Sequence, residues 1–117
     1  MHRALVAAAA AGDKLGNDIV VLEVGDIISI TDYFVIASGN NTRQVKAIVE
    51  SIEEALRELA DARPRAEEGR QEGSWVLLDY GDIVVHVFLE ETREYYGLDR
   101  LWADAPRLDW VSAAAAL

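Results

Sequence analysis

A chain of 117 residues, 51% of them apolar and 27% charged, is sized for a single domain with a real hydrophobic core. The absence of cysteine excludes disulfides, zinc–thiolate centres and thiol nucleophiles. A formal charge of −10, from 21 acids against 11 bases, argues against extensive nucleic-acid binding, which requires clustered Lys and Arg; it favours solubility or a basic partner.

In chain order, residues 3–15 read as a short Ala-rich helix ended by Gly16. Its apolar side, Leu5, Val6 and Leu15, is modest, so it is expected to dock weakly or to serve contacts between chains. His2 and Arg3 before a short apolar run imitate a secretory leader, but alanine is weakly hydrophobic and Gly12-Asp13-Lys14 follows at once. The reading is a cytoplasmic protein, and no apolar run approaches the roughly 20 residues of a membrane-spanning helix. Residues 17–24 (NDIVVLEV) read as a strand broken by Gly25-Asp26, and 32–39 (DYFVIASG) as a central strand, nearly continuously apolar.

Residues 40–62 are the clearest helix: Asn41 caps it, Gln44 sits in the capping-box position, and Val45, Ile48, Val49, Ile52, Leu56 and Leu59 form one stripe. Pro64 opens a polar connection, with a short edge strand near 65–67. The segment 75–91 (WVLLDYGDIVVHVFLEE) organises the rest: two apolar runs around a Gly-containing break predict a β-hairpin. Gly81 is expected at the left-handed last position of a three-residue loop, since Tyr80 suits a type I′ turn poorly.

On the second strand Ile83, Val85, Val87 and Leu89 point one way, and Asp82, Val84, His86 and Phe88 the other. Neither face is polar, a pattern that belongs between two layers. Where the chain lacks the second layer, a protein partner is the natural cover. Residues 93–105 read as irregular to helical, rich in aromatics, and 106–117 as a C-terminal extension, frayed or packed elsewhere. The expected division is an N-terminal helix at 1–15, one domain at 16–105 and the extension at 106–117.

Candidate chemistry is thin. Asp79 and Asp82 allow a carboxylate pair for Mg²⁺ in a small nucleotide-binding or nucleotidyltransferase-like enzyme, but aspartate is also the ordinary turn residue. The turn after residue 39 lacks the Lys and glycine spacing of a phosphate loop. His86 stands alone in a strand with no nucleophile motif nearby. No metal or cofactor is expected. Trp75, Tyr95, Tyr96 and Trp102, with Arg93 and Arg100 among them, are residue types that dominate both core edges and interface hot spots.

The segments DYFVIASGN (32–40), RQVKAI (43–48), WVLLDYGDIVVHVF (75–88) and REYYGLDRLW (93–102) closely resemble the ribosomal silencing factor family, RsfS or Iojap. The resemblance runs from about residue 16 to 102 and departs at Asp99, where the family has Glu. It implies an α/β (α+β) domain with a mixed central sheet flanked by helices, related in fold to nucleotidyltransferases but without their catalysis. It implies a protein that binds the large ribosomal subunit through its fourteenth ribosomal protein and blocks joining of the small subunit when nutrients are scarce. The expected contacts are Trp75, His86 and Tyr96, then Asp79, Arg93, Leu98 and Asp99, with a packing role for Leu98 favoured. A homodimer that buries the spare apolar face against its own copy is a further expectation.

Overall fold

A computed structural model describes residues 1–117, which form ten elements. In order they are α1 (His2–Asp13), β1 (Asn17–Glu23), β2 (Tyr33–Gly39), α2 (Thr42–Ala60), β3 (Ala66–Glu68), β4 (Trp75–Asp79), β5 (Ile83–Leu89), α3 (Glu90–Tyr96), α4 (Leu98–Leu101) and α5 (Trp110–Ala114). The strands form one mixed sheet ordered β1-β2-β5-β4-β3, in which only β2 and β5 run parallel. A parallel pair needs a long crossover, and α2 provides it. The expected mixed sheet flanked by helices is therefore the observed fold.

Helix α2 starts where its cap says it should. The Asn41 side chain accepts the Gln44 N–H at 2.8 Å, and the Gln44 side chain returns to the N–H of Asn40, one residue earlier than in the standard box. Val45, Ile48, Val49, Ile52 and Leu56 are buried as expected, but Leu59 is 66% exposed. The reason lies at the C-cap. Asp61 turns left-handed at φ +49, Ala62 donates its N–H to Leu56 O, and Ala62 is buried at the end of the stripe.

The register of the β4–β5 hairpin, open from sequence, is decided by Val76 pairing with Val87 and Leu78 with Val85. These residues, with Ile83, Val35 and Val21, face α1 and α2 in a cluster of 21 buried residues. The hairpin turn differs from expectation. Tyr80 N–H bonds Ile83 O, so the reversal falls on Gly81-Asp82 with Gly81 first, at φ +91, and Asp82 outside the positive-φ region. Those are the φ signs of a type II′ turn, which asks for glycine at that place.

Helix α1 corrects the expectation of weak docking. Ala4, Ala7, Ala8 and Ala11 are fully buried, with Leu5, Val6 and Ala10 nearly so. The alanines look weak on a hydrophobicity scale, but small side chains let α1 lie close against α2, where Ser51 donates to Ala10 O at 3.1 Å. The tail is also fastened. Glu23 N–H bonds Pro106 O, Leu108 N–H bonds Val21 O, and the Trp110 indole donates to Ile19 O at 3.0 Å. These bonds occupy the free edge of β1, while the opposite edge, β3, is three exposed residues long; both are ordinary ways to blunt a sheet edge.

Candidate docking face

The second face of the sheet carries Leu22, Phe34, Ile36 and Phe88 in a cluster of only six buried residues, against 21 on the helical side. Val24, Ile28, Leu98, Trp102 and Ala105 cover its β1–β2 half. Towards β4 the cover ends, and Trp75, Leu77 and Val84 stay half-buried. Helix α3 reaches this half through Tyr96, against Trp75, yet all three residues keep part of their surface exposed, so the layer that the two-sided apolar pattern demands is incomplete here.

Pairing across strands sets side chains in rows on this face. Trp75 pairs with Phe88, and Phe88 with Ser38; one step along, Glu68 pairs with Leu77, Leu77 with His86, and His86 with Ile36. Trp75 stacks on Phe88 with ring centroids 4.8 Å apart, and Tyr96, on α3, leans on Trp75 at 4.9 Å. Tyr96 is 56% exposed and Tyr95 beside it 81%. Three of the expected contact residues, Trp75, His86 and Tyr96, thus meet in one place.

His86 is the anchor beneath the indole. The Trp75 indole N–H donates to His86 Nδ1 at 3.2 Å, which leaves the neutral ring's proton on Nε2, a buried atom with no partner. Burial pushes the imidazole down to about 4 from its ordinary 6.5. The folded ring resists protonation, so the unfolded chain takes up the proton first. The stability this group contributes is whole above pH 6.5 and is lost as pH falls towards 4. Between pH 7 and pH 5 the expected loss is about 2 kcal/mol. Urea unfolding across that range tests it, with His86→Gln as control because glutamine still accepts from the indole but does not titrate. Matching pH profiles for the two proteins would show that His86 is not the group responsible.

Asp79, Arg93, Leu98 and Asp99 are placed elsewhere. Asp79, at the far end of β4, pairs with Arg65 at 3.2 Å and accepts the Gly81 N–H at 2.8 Å. Asp82 pairs with Arg3 of α1 at 3.0 Å. The two carboxylates thus answer to separate arginines, and no group of three or more His, Cys, Asp or Glu side chains is arranged to hold a metal ion. Leu98 packs against the smaller cluster.

Arg93 is buried and holds Asp99 through two bonds, Nε to Oδ1 at 3.2 Å and an Nη to Oδ2 at 2.8 Å. Its other Nη donates to the Asn17 carbonyl and to Ser38 Oγ. Aspartate reaches the guanidinium where Gly97, at φ +58, ends α3 and turns α4 back towards Arg93. Burial pushes the Asp99 carboxyl up, but the hydrogen bonds and charge of Arg93 prevail and hold it below its usual range. This knot ties α3 and α4 to β1 and β2, and so positions Tyr96.

Two residues that sequence reasoning passed over also border the face. Glu68 and Glu72, in the segment read as a polar connection, line a cleft with Trp75, Leu77 and Tyr96. The alternation of an edge strand was the available signal: Glu67 turns to Arg70 and Glu53 on the helical side, so Glu68 points the other way.

A family model described as "Ribosomal silencing factor during starvation" matches residues 1–116. The chain belongs to the ribosomal silencing factor family. It is 44% identical over 104 residues to the ribosomal silencing factor RsfS of Bacillus subtilis, covering 89% of this chain and 87% of that one. The crystal structure of a Chromobacterium violaceum protein superposes with a TM-score of 0.83 at 37% identity, covering 87% of this chain and 84% of that one. A mouse relative called mitochondrial assembly of ribosomal large subunit protein 1 is 39% identical over 88 residues, which are 74% of this chain and 39% of that protein. The match of the RsfS model takes in α1 and most of the tail, both bonded or packed into the same sheet. No helix of this family member is long and apolar enough to cross a membrane.

Proposed function

We propose that this protein represses translation without catalysis, by docking its ring-lined sheet face on the fourteenth ribosomal protein of the large subunit and obstructing the small subunit. Trp75 and Tyr96 form the centre of that contact, with the buried His86 fixing the indole from beneath, and the reaction to nutrient shortage is a matter of occupancy in the cytoplasm. The observation that carries the reading is the incomplete second layer: an apolar, aromatic surface on which Trp75 and Tyr96 stay accessible beside a well-filled core. Large-subunit proteins are basic, and a chain with net charge −10 is attracted to such a surface at long range, while buried rings hold the complex once formed. Membership of a family named for ribosomal silencing supports a ribosomal partner.

Sedimentation with purified large subunits, repeated as small subunits are added, tests this. The protein is expected to travel with large subunits and to lower the yield of joined ribosomes. A protein that stays at the top of the gradient, or that travels with large subunits while joining proceeds normally, overturns the reading.

A further inference from the structure

The cleft beside Trp75 is chemically unlike the rest of the face. It has a volume of about 350 Å³ and is bounded by the rings of Trp75 and Tyr96, by Leu77, and by Glu68 and Glu72. The two glutamates are exposed, and no Lys, Arg or His side chain of the protein forms an ion pair with either. Nearby Arg70 is drawn away to Glu53 and Glu67. Glu72 accepts only from the Ser74 hydroxyl, at 3.3 Å. Two carboxylates without a cationic partner, lining one cleft with two aromatic rings, match the needs of a cation on an aliphatic stem. The rings attract the charge through their negative faces, the carboxylates neutralise it, and Leu77 packs on the methylenes.

We infer that the cleft formed by Glu68, Glu72, Trp75 and Tyr96 receives one positively charged side chain, lysine or arginine, from the protein surface on which this face docks. The inference rests on the docking reading above and adds its point of specificity: the face recognises a basic residue at a fixed offset from the Trp75 anchor. A neutral or acidic surface of equal shape leaves both carboxylates partly desolvated without a counter-charge, which disfavours it.

Two measurements test this separately from the docking reading. In the first, N-acetylarginine amide is titrated against the isolated protein while the Trp75 indole N–H resonance is followed, with neutral N-acetylnorleucine amide as control. The arginine probe is expected to shift the indole signal, and the Glu68→Gln/Glu72→Gln double variant to abolish the shift. Equal response to both probes, or none to the arginine probe, overturns the inference whether or not the protein binds ribosomes. In the second, the double variant is expected to bind large subunits about tenfold more weakly, with a flatter dependence on salt. If it binds as tightly as the parent while Trp75→Ala does not, the cationic cleft is wrong and the docking face stands. If the parent itself fails to bind, the docking reading falls, and the probe titration alone decides whether the cleft takes a cation.

Discussion

Trp75→Ala is expected to weaken binding to large ribosomal subunits by about 2–4 kcal/mol, a loss of roughly 30- to 1000-fold. The indole is only half-buried in the free protein, stacked on Phe88 at 4.8 Å and hydrogen-bonded to His86 at 3.2 Å. It is therefore held in place before a partner arrives, and its remaining surface is available to lose water on binding. Preorganised aromatics of this kind make strong anchors, because little side-chain freedom is left to lose.

Truncation also uncovers Phe88, so some loss of folding stability accompanies it, and thermal unfolding belongs beside the binding measurement. Tyr96→Ala separates the two effects. Its ring is mostly exposed, so its removal is expected to cost little stability yet to weaken binding by about 1–2 kcal/mol. Unchanged affinity in both variants, or losses that follow melting temperature alone, would remove the rings from the contact.

Arg93→Ala is expected to cost about 3 kcal/mol of folding stability, the lower end of the range for breaking a buried ion pair. The guanidinium satisfies Asp99, Ser38 and the Asn17 carbonyl together, and all three lose a partner when it goes. The lower end applies because the Asp99 side chain is 24% exposed, so water regains part of its solvation. Against a typical total of about 5–15 kcal/mol, this is a large fraction. Denaturant titration reads it as a lower midpoint at constant slope. Replacing both partners, Arg93→Met with Asp99→Leu, is expected to recover much of the loss, since an apolar pair leaves no stranded charge. A change below about 1 kcal/mol in Arg93→Ala would mean that the knot does not hold α3 and α4 to the sheet.

The two effects are connected through the chain. Arg93 and Tyr96 lie on the same short helix, one buried and one exposed. A helix of seven residues has little intrinsic stability, so its attachment comes from tertiary contacts. The ion pair at its middle residue thus fixes the position of the ring at its end. For this reason Arg93→Ala is expected to lower ribosome binding although Arg93 itself is not accessible. We propose that Arg93, being buried, positions the contact through its bonds to Asp99 rather than touching the partner itself.

Much of the fold was legible without coordinates. The three long strands, the hairpin and α2 with its Asn41 cap follow from periodicity, β-branched content and capping, all of which act over a few neighbouring residues. The recurrence of family segments also identified the family. What could not be read was how distant residues choose each other. A strand with apolar residues on both faces has no preferred side by itself, and the helices decided that Val85 faces them and His86 the second face of the sheet. The burial of α1 depends on close approach to α2, which a row of alanines permits but does not announce. The pairing of Arg93 with Asp99, Ser38 and Asn17, and the meeting of Glu68 with Trp75 and Tyr96, join three or more elements each. Local sequence determined the elements, because backbone preferences are short-ranged. The tertiary structure decided which side chains became core, brace or exposed surface, because burial and electrostatic pairing depend on where the rest of the chain has packed.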